Sequence, residues 1–100
     1  MTELRWHPAA AREAQSARLW YRFEQDAPEV ARRFQTTLQR ALEQIAQAPE
    51  RWPILVDDLR KRPLRGFPYR VIYQVRGDHV LIVAVMHERR RPEYWRDRTW

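Results

Sequence analysis

An α+β domain, with a small antiparallel sheet covered on one face by a helical hairpin, is what this sequence predicts. Three observations carry the prediction. A helix-forming run over residues 8–25 is followed directly by the strongest helical periodicity in the chain. Two β-branched runs, YRVIYQV and HVLIVAVMH, flank the turn sequence RGD. Helices that precede consecutive strands pack together on one side of an antiparallel sheet. The expected order is β-α-α-β-β-β with a short C-terminal segment, in a single domain over residues 1–100.

The opening TELRWHP alternates loosely before Pro8, so residues 3–7 read as a short strand. Proline fits a first helical turn, and PAAAREAQSARLWYRFEQ continues in helix formers. Ala10, Ala14, Ala17 and Tyr21 fall on one stripe of mostly small side chains, which lets another helix approach closely. At DAPE the pattern restarts. Asp26 can cap, Pro28 suits the first turn, and Glu29 stands at capping-box spacing from Asp26. Val30, Phe34, Leu38, Leu42 and Ile45 then carry a second helix, about 30 Å long, to its end near Ala48, ahead of Pro49. The short link makes the pair antiparallel.

Residues 49–68 form a connector rich in proline and charge, with Trp52 and Leu55 as anchors and a strand starting around Arg62–Gly66. If Gly77-Asp78 is a two-residue loop, Val75 faces Val80, Tyr73 faces Ile82 and Val71 faces Ala84, an apolar face for the helices. Arg70, Ile72 and Gln74 then share the other face with Val83, Val85 and His87, and that face carries the basic excess. A three-residue loop, Arg76–Asp78, would shift the pairing and part Arg70 from His87. The shorter loop is preferred.

The formal charge of +6 is unevenly spread. Residues 1–50 balance seven arginines against seven acids, whereas residues 51–100 set twelve Lys and Arg against six acids. An acidic partner, nucleic acid or protein, is expected for the second half; the plainer explanation is that eighteen arginines to one lysine reflect a GC-rich coding bias. The chain has no cysteine, which excludes disulfides and thiolate metal sites and fits a cytoplasmic protein. No apolar run approaches the length of a membrane span and no signal peptide opens the chain. With two glycines, Gly-rich phosphate loops are excluded too. Asp57 and Asp58 read as a loop cap, and His7 and His79 as strand-end residues. No metal, cofactor, membrane or small-molecule substrate is expected.

In the preferred register His87 is the diagonal neighbour of Arg70, roughly 7–8 Å away, so both could reach one phosphate. Metal-free RNA cleavage needs a base, an acid and positive charge on the phosphorane, which a histidine and arginines can supply. Arg62, Arg65 and Arg89 could complete the clamp. The alternative is a strand-end histidine beside a surface arginine. Tyr94 and Trp95 could stack on bases, or the Pro92-Glu-Tyr-Trp segment could pin itself to the sheet.

Nearly the whole chain resembles the RelE/ParE-type toxins of bacterial type II toxin–antitoxin systems, the plasmid stabilisation family. HPAAAREAQSARLWY, ARRFQTTLQRALEQIAQAPERWP, FPYRVIYQV and VMHERRRPEYW carry the likeness, in their order and separation. The resemblance implies a growth-inhibiting toxin held silent by a cognate antitoxin. Its target would be DNA gyrase, as in ParE-like members, or mRNA on the ribosome, as in RelE-like nucleases; a degenerate, non-toxic binding module is the third possibility. By motif position Arg70 matches the arginine of the nuclease strand, Arg89 the later phosphate-contacting arginine, and Lys61 with Arg62 a preceding basic pair. Arg65 and Arg90 join them as target-binding candidates. If the protein is a nuclease, His87 or Tyr94 transfers the proton. The family tyrosine falls at or beside Trp95, and the MHERR ending resembles ParE-like sequences, so gyrase inhibition is the favoured expectation.

Overall fold

The computed structural model describes residues 1–91 and 93–98. In chain order it contains β1 (Glu3–Trp6), α1 (Pro8–Leu19), a π-helical turn (Trp20–Glu24), α2 (Pro28–Gln47), β2 (Ile54–Val56), β3 (Leu59–Pro63), β4 (Tyr69–Arg76) and β5 (His79–His87). The strands form one sheet in the order β1-β5-β4-β3-β2, antiparallel throughout except for the parallel β1–β5 pair. The α+β class and the helical hairpin are as predicted.

His7 starts α1. Its Nδ1 accepts the N–H of Ala9 at 3.1 Å, satisfying a donor that the helix itself leaves orphaned, and Pro8 follows in the first turn. The small stripe is buried as expected: Ala10 and Ala17 lie in the core, with Ala14 and Tyr21 packed against it. Past Leu19 the helix widens into the π turn, closed by the Gln25 N–H on the Trp20 carbonyl at 3.1 Å, and Trp20 and Phe23 are left exposed. The expected Asp26 capping box does not form. Asp26 takes a left-handed backbone, φ 49°, to turn the corner, so the cap position falls one residue later on Ala27, which has no side chain to serve it. Glu29 instead pairs with Arg32. Helix α2 then lays Phe34, Leu38, Ala41, Leu42 and Ile45 on Val71, Tyr73, Val80, Ile82 and Val85 of the sheet.

The connector holds a strand that sequence patterning missed. β2 pairs with β3 across an irregular register, and β3 begins at Leu59, ahead of the expected Arg62–Gly66. Neither segment alternates in hydropathy, so only pairing makes them strands, β3 on β4 and β2 in turn on β3. Trp52 anchors the connector against the core, but Leu55 does not: it and Ile54 stay exposed at the sheet edge.

The hairpin loop is Gly77-Asp78, flanked by the Arg76–His79 pair, and Gly77 supplies the positive φ of 53° at its first position. Val75 pairs with Val80 and Tyr73 with Ile82, as expected. Beyond that point β5 bulges. Ile72 pairs with Ala84 and Val71 with Val85, leaving Val83 as an extra residue. Val83 and Ala84 therefore both join the cluster on the face away from the helices, whereas Val85 packs with the helix-facing core. His87 now pairs with Tyr69, and Arg70 with Met86. The expected Val71–Ala84 pairing and the shared face of Arg70 and His87 are both overturned, because one inserted residue flips every side chain beyond it.

The far face is not the open basic surface that composition suggested. Trp95 covers it, fully buried against Leu59, Ile72, Leu81, Val83, Ala84 and Met86, with its indole N–H on Met86 Sδ at 3.1 Å. The Glu93–Tyr94–Trp95 part of the terminal segment thus docks on the sheet; Pro92 lies outside the described residues.

Candidate functional site

β1 stops pairing at Trp6, opposite Ile82, and among the described residues no strand continues on that side of β5. Side chains take the strand's place. Arg98 Nη1 donates to the Val83 carbonyl at 3.0 Å, and Glu13 Oε1 accepts the Val85 N–H at 3.1 Å. The two residues also hold each other in a fork, Nη1 to Oε1 at 2.9 Å and Nη2 to Oε2 at 3.0 Å. The Tyr94 hydroxyl donates to Glu13 Oε2 at 2.6 Å. Burial pushes the Tyr94 phenol well above its ordinary range, and the hydrogen bond to Glu13 and that residue's charge add to the shift.

Around this junction lies a groove of about 670 Å³ between α1, the end of β5 and the segment that follows. Its walls include Arg12, Trp20, Tyr69, His87 and Arg90. The His87 ring stands edge-on to Tyr69 with centroids 4.9 Å apart, and its Nδ1 accepts the Arg89 N–H at 3.0 Å. In the neutral ring that leaves the proton on Nε2. Arg90 lies 4.1 Å over the Tyr94 ring, with Arg98 also over it at 5.0 Å.

The other predicted residues do not converge here. Arg70 and Lys61 stand on the far face as diagonal neighbours, opposite Met86 and beside Ile72. Arg62 is a brace on the helix side: its guanidinium lies 5.2 Å from the centre of the Trp52 ring, reaches Gln44 Oε1 at 2.7 Å, and also meets the Pro63 carbonyl. Burial lowers its pKa, with the nearby Arg51 charge adding to the effect. Arg65 is exposed in the turn between β3 and β4, and Arg89 and Arg90 are exposed after β5. Sequence reasoning missed Glu13, Arg98, Arg12 and Trp20. Glu13 had left a trace: it sits three residues after Ala10 and four before Ala17, so this acid borders the buried stripe of α1.

A small α+β scaffold with a basic, aromatic-walled groove, whose carboxylate and phenol are engaged internally, defines a protein suited to gripping another macromolecule. Residues 4–92 match the family described as ParE toxin of type II toxin-antitoxin system, parDE. The chain belongs to that family: it is the toxin of a type II pair, and the parDE arrangement gives it a ParD antitoxin as partner. No curated protein sequence matches it significantly. Among solved structures it is similar to one described as the chromosomal ParDE TA system from P. aeruginosa, with a TM-score of 0.75 and 20% identity over 87% of this chain and 96% of that one, a likeness of fold. Among the described residues no helix is long and apolar enough to cross a membrane.

Proposed function

We propose that this ParE toxin arrests growth in the cytoplasm by binding DNA gyrase, without chemistry of its own. The separation of Arg70 from His87 carries the reading. Cleaving RNA without a metal requires base, acid and cation around one phosphate. Here the bulge puts the histidine in the groove on the helix side, whereas Arg70 and Lys61 stand across the sheet. Tyr94 is a poor proton-transfer group, because its hydroxyl is held by Glu13 and its pKa is raised. A basic surface without a reactive constellation fits a binding inhibitor better than a nuclease.

One observation favours the second reading, ribosome-dependent mRNA cleavage: Lys61 and Arg70 are adjacent on the far face and neither is engaged by an acid among the described residues. Two assays on antitoxin-free toxin decide. Supercoiling of relaxed plasmid by purified gyrase should be lost, while mRNA followed by primer extension in cell-free translation stays whole. Codon-phased cuts with normal supercoiling would replace gyrase with the ribosome. Harmless expression of folded protein, with both assays unaffected, would leave a non-toxic binding module.

A further inference from the structure

We infer that residues 93–98 form a strap that opens as one unit, with the Glu13 carboxylate as its catch, and so decides whether the far face of the sheet is sealed or presents an apolar surface. The inference does not rest on the gyrase reading.

Side chains alone attach the strap. Among the described residues its backbone bonds stay within it, the Arg96 N–H on the Glu93 carbonyl and the Arg98 N–H on the Trp95 carbonyl, both at 3.0 Å, and none reaches a strand or helix. The side chains divide between two sides of β5. Trp95 goes to the far face, and Arg96 reaches Asp57 in the turn between β2 and β3. Tyr94 and Arg98 pass over the open edge of β5 to Glu13 on α1.

These anchors are unequal. The ion pairs of Arg96 with Asp57 and Glu93 are half exposed, and such pairs hold little. The Trp95 N–H has only a thioether as acceptor, a weak one, so the ring is seated by apolar contact. Glu13 is different. Its side chain is 14% exposed, its Oε1 accepts Arg98 Nη1, and its Oε2 accepts both Arg98 Nη2 and the Tyr94 hydroxyl. Three bonds from two strap residues therefore end on one carboxylate, and losing it releases both residues together.

The hinge is marked as well. Glu93, where the strap begins, holds φ at 66°, a left-handed conformation that is strained for a residue with a Cβ and that recurs at switch segments. When the strap opens, Leu59, Ile72, Leu81, Val83, Ala84 and Met86 lose the ring that covers them. The first core, under the helices, contains no strap residue and keeps its packing. A segment tied down by so few groups opens well before the whole domain does.

Native-state hydrogen exchange on the full-length toxin tests this. Corrected for intrinsic exchange, the Arg96 and Arg98 amides and the Trp95 indole N–H should share one protection value, at least 100-fold below that of the central β4 amides. Glu13→Gln should lower all three by at least 10-fold, and Arg96→Gln by less than 3-fold. Phe34→Leu, which loosens the first core, should lower protection in β4 and leave the three strap groups within 2-fold. Three values that scatter, a Phe34→Leu effect shared by strap and β4, or an Arg96→Gln loss as large as that of Glu13→Gln overturns the proposal. The unaltered toxin and Phe34→Leu decide the matter even where Glu13→Gln fails to fold.

Discussion

Glu13 and Arg98 close the open edge of β5: their side chains meet through bonds of 2.9 and 3.0 Å and together take up the Val85 N–H and the Val83 carbonyl. The two backbone groups flank the bulge, where among the described residues no neighbouring strand pairs with them. Buried backbone groups left unpaired cost about 1–3 kcal/mol each, so an ion pair placed here stabilises the edge as well as the segment that carries Arg98.

Removing the Glu13 charge should therefore do more than delete a surface ion pair. Glu13→Gln is expected to lower stability by about 2–3 kcal/mol in urea unfolding, because Arg98, only 17% exposed in its side chain, would lose its counter-charge. Combining Glu13→Gln with Arg98→Met should recover part of the loss. A single-variant cost below about 0.5 kcal/mol, the level of an exposed pair, would mean that the edge does not depend on it.

Trp95 is the keystone of the second core. Trp95→Ala should cost about 3–5 kcal/mol, and Trp95→Phe distinctly less, since the ring still fills most of the space. Native-state hydrogen exchange would show whether the loss is confined to the segment after β5 or is felt by the whole sheet.

His7 links stability to acid pH. Burial lowers its pKa below 6.5, helped by the charges of Arg98 and Arg12, and its neutral Nδ1 caps α1. The unfolded chain therefore takes up the proton first. The contribution is present above about pH 6.5 and is lost as pH falls through the folded value. Thermal unfolding between neutral and mildly acidic pH should show the slope, and His7→Asn, which can still cap, should flatten it.

All four tyrosines should resist ionisation. Tyr21, Tyr69, Tyr73 and Tyr94 are each pushed above 10.0, in every case first by burial. The phenolate absorbance of the folded protein should therefore rise at a higher pH than that of the denatured chain. Tyr94→Phe should remove the last component to titrate. Because the neutral forms are favoured in the fold, stability present below pH 10 declines as pH rises toward the folded values.

The helical hairpin, the two-residue hairpin loop and the α+β class were legible in the sequence because each rests on a local signal. Val30 to Ile45 repeat at helical spacing, Pro8 and Pro28 sit in first turns, and a glycine stands where the loop needs a positive φ. The family likeness was legible for the same reason: it lies in ordered stretches of sequence. What the tertiary structure alone decided is the site. Residues 80–86 are apolar on both faces, so no alternation told that Val83 is extra and that Val85 and His87 turn to the helices. Likewise nothing near Glu13 in the chain announces Arg98, which lies 85 residues away and meets it only because β1 ends early and leaves an edge to be filled. Periodicity reports what one segment does with solvent and core, whereas a bulge and an edge repair are settled by which two faces must be buried at once.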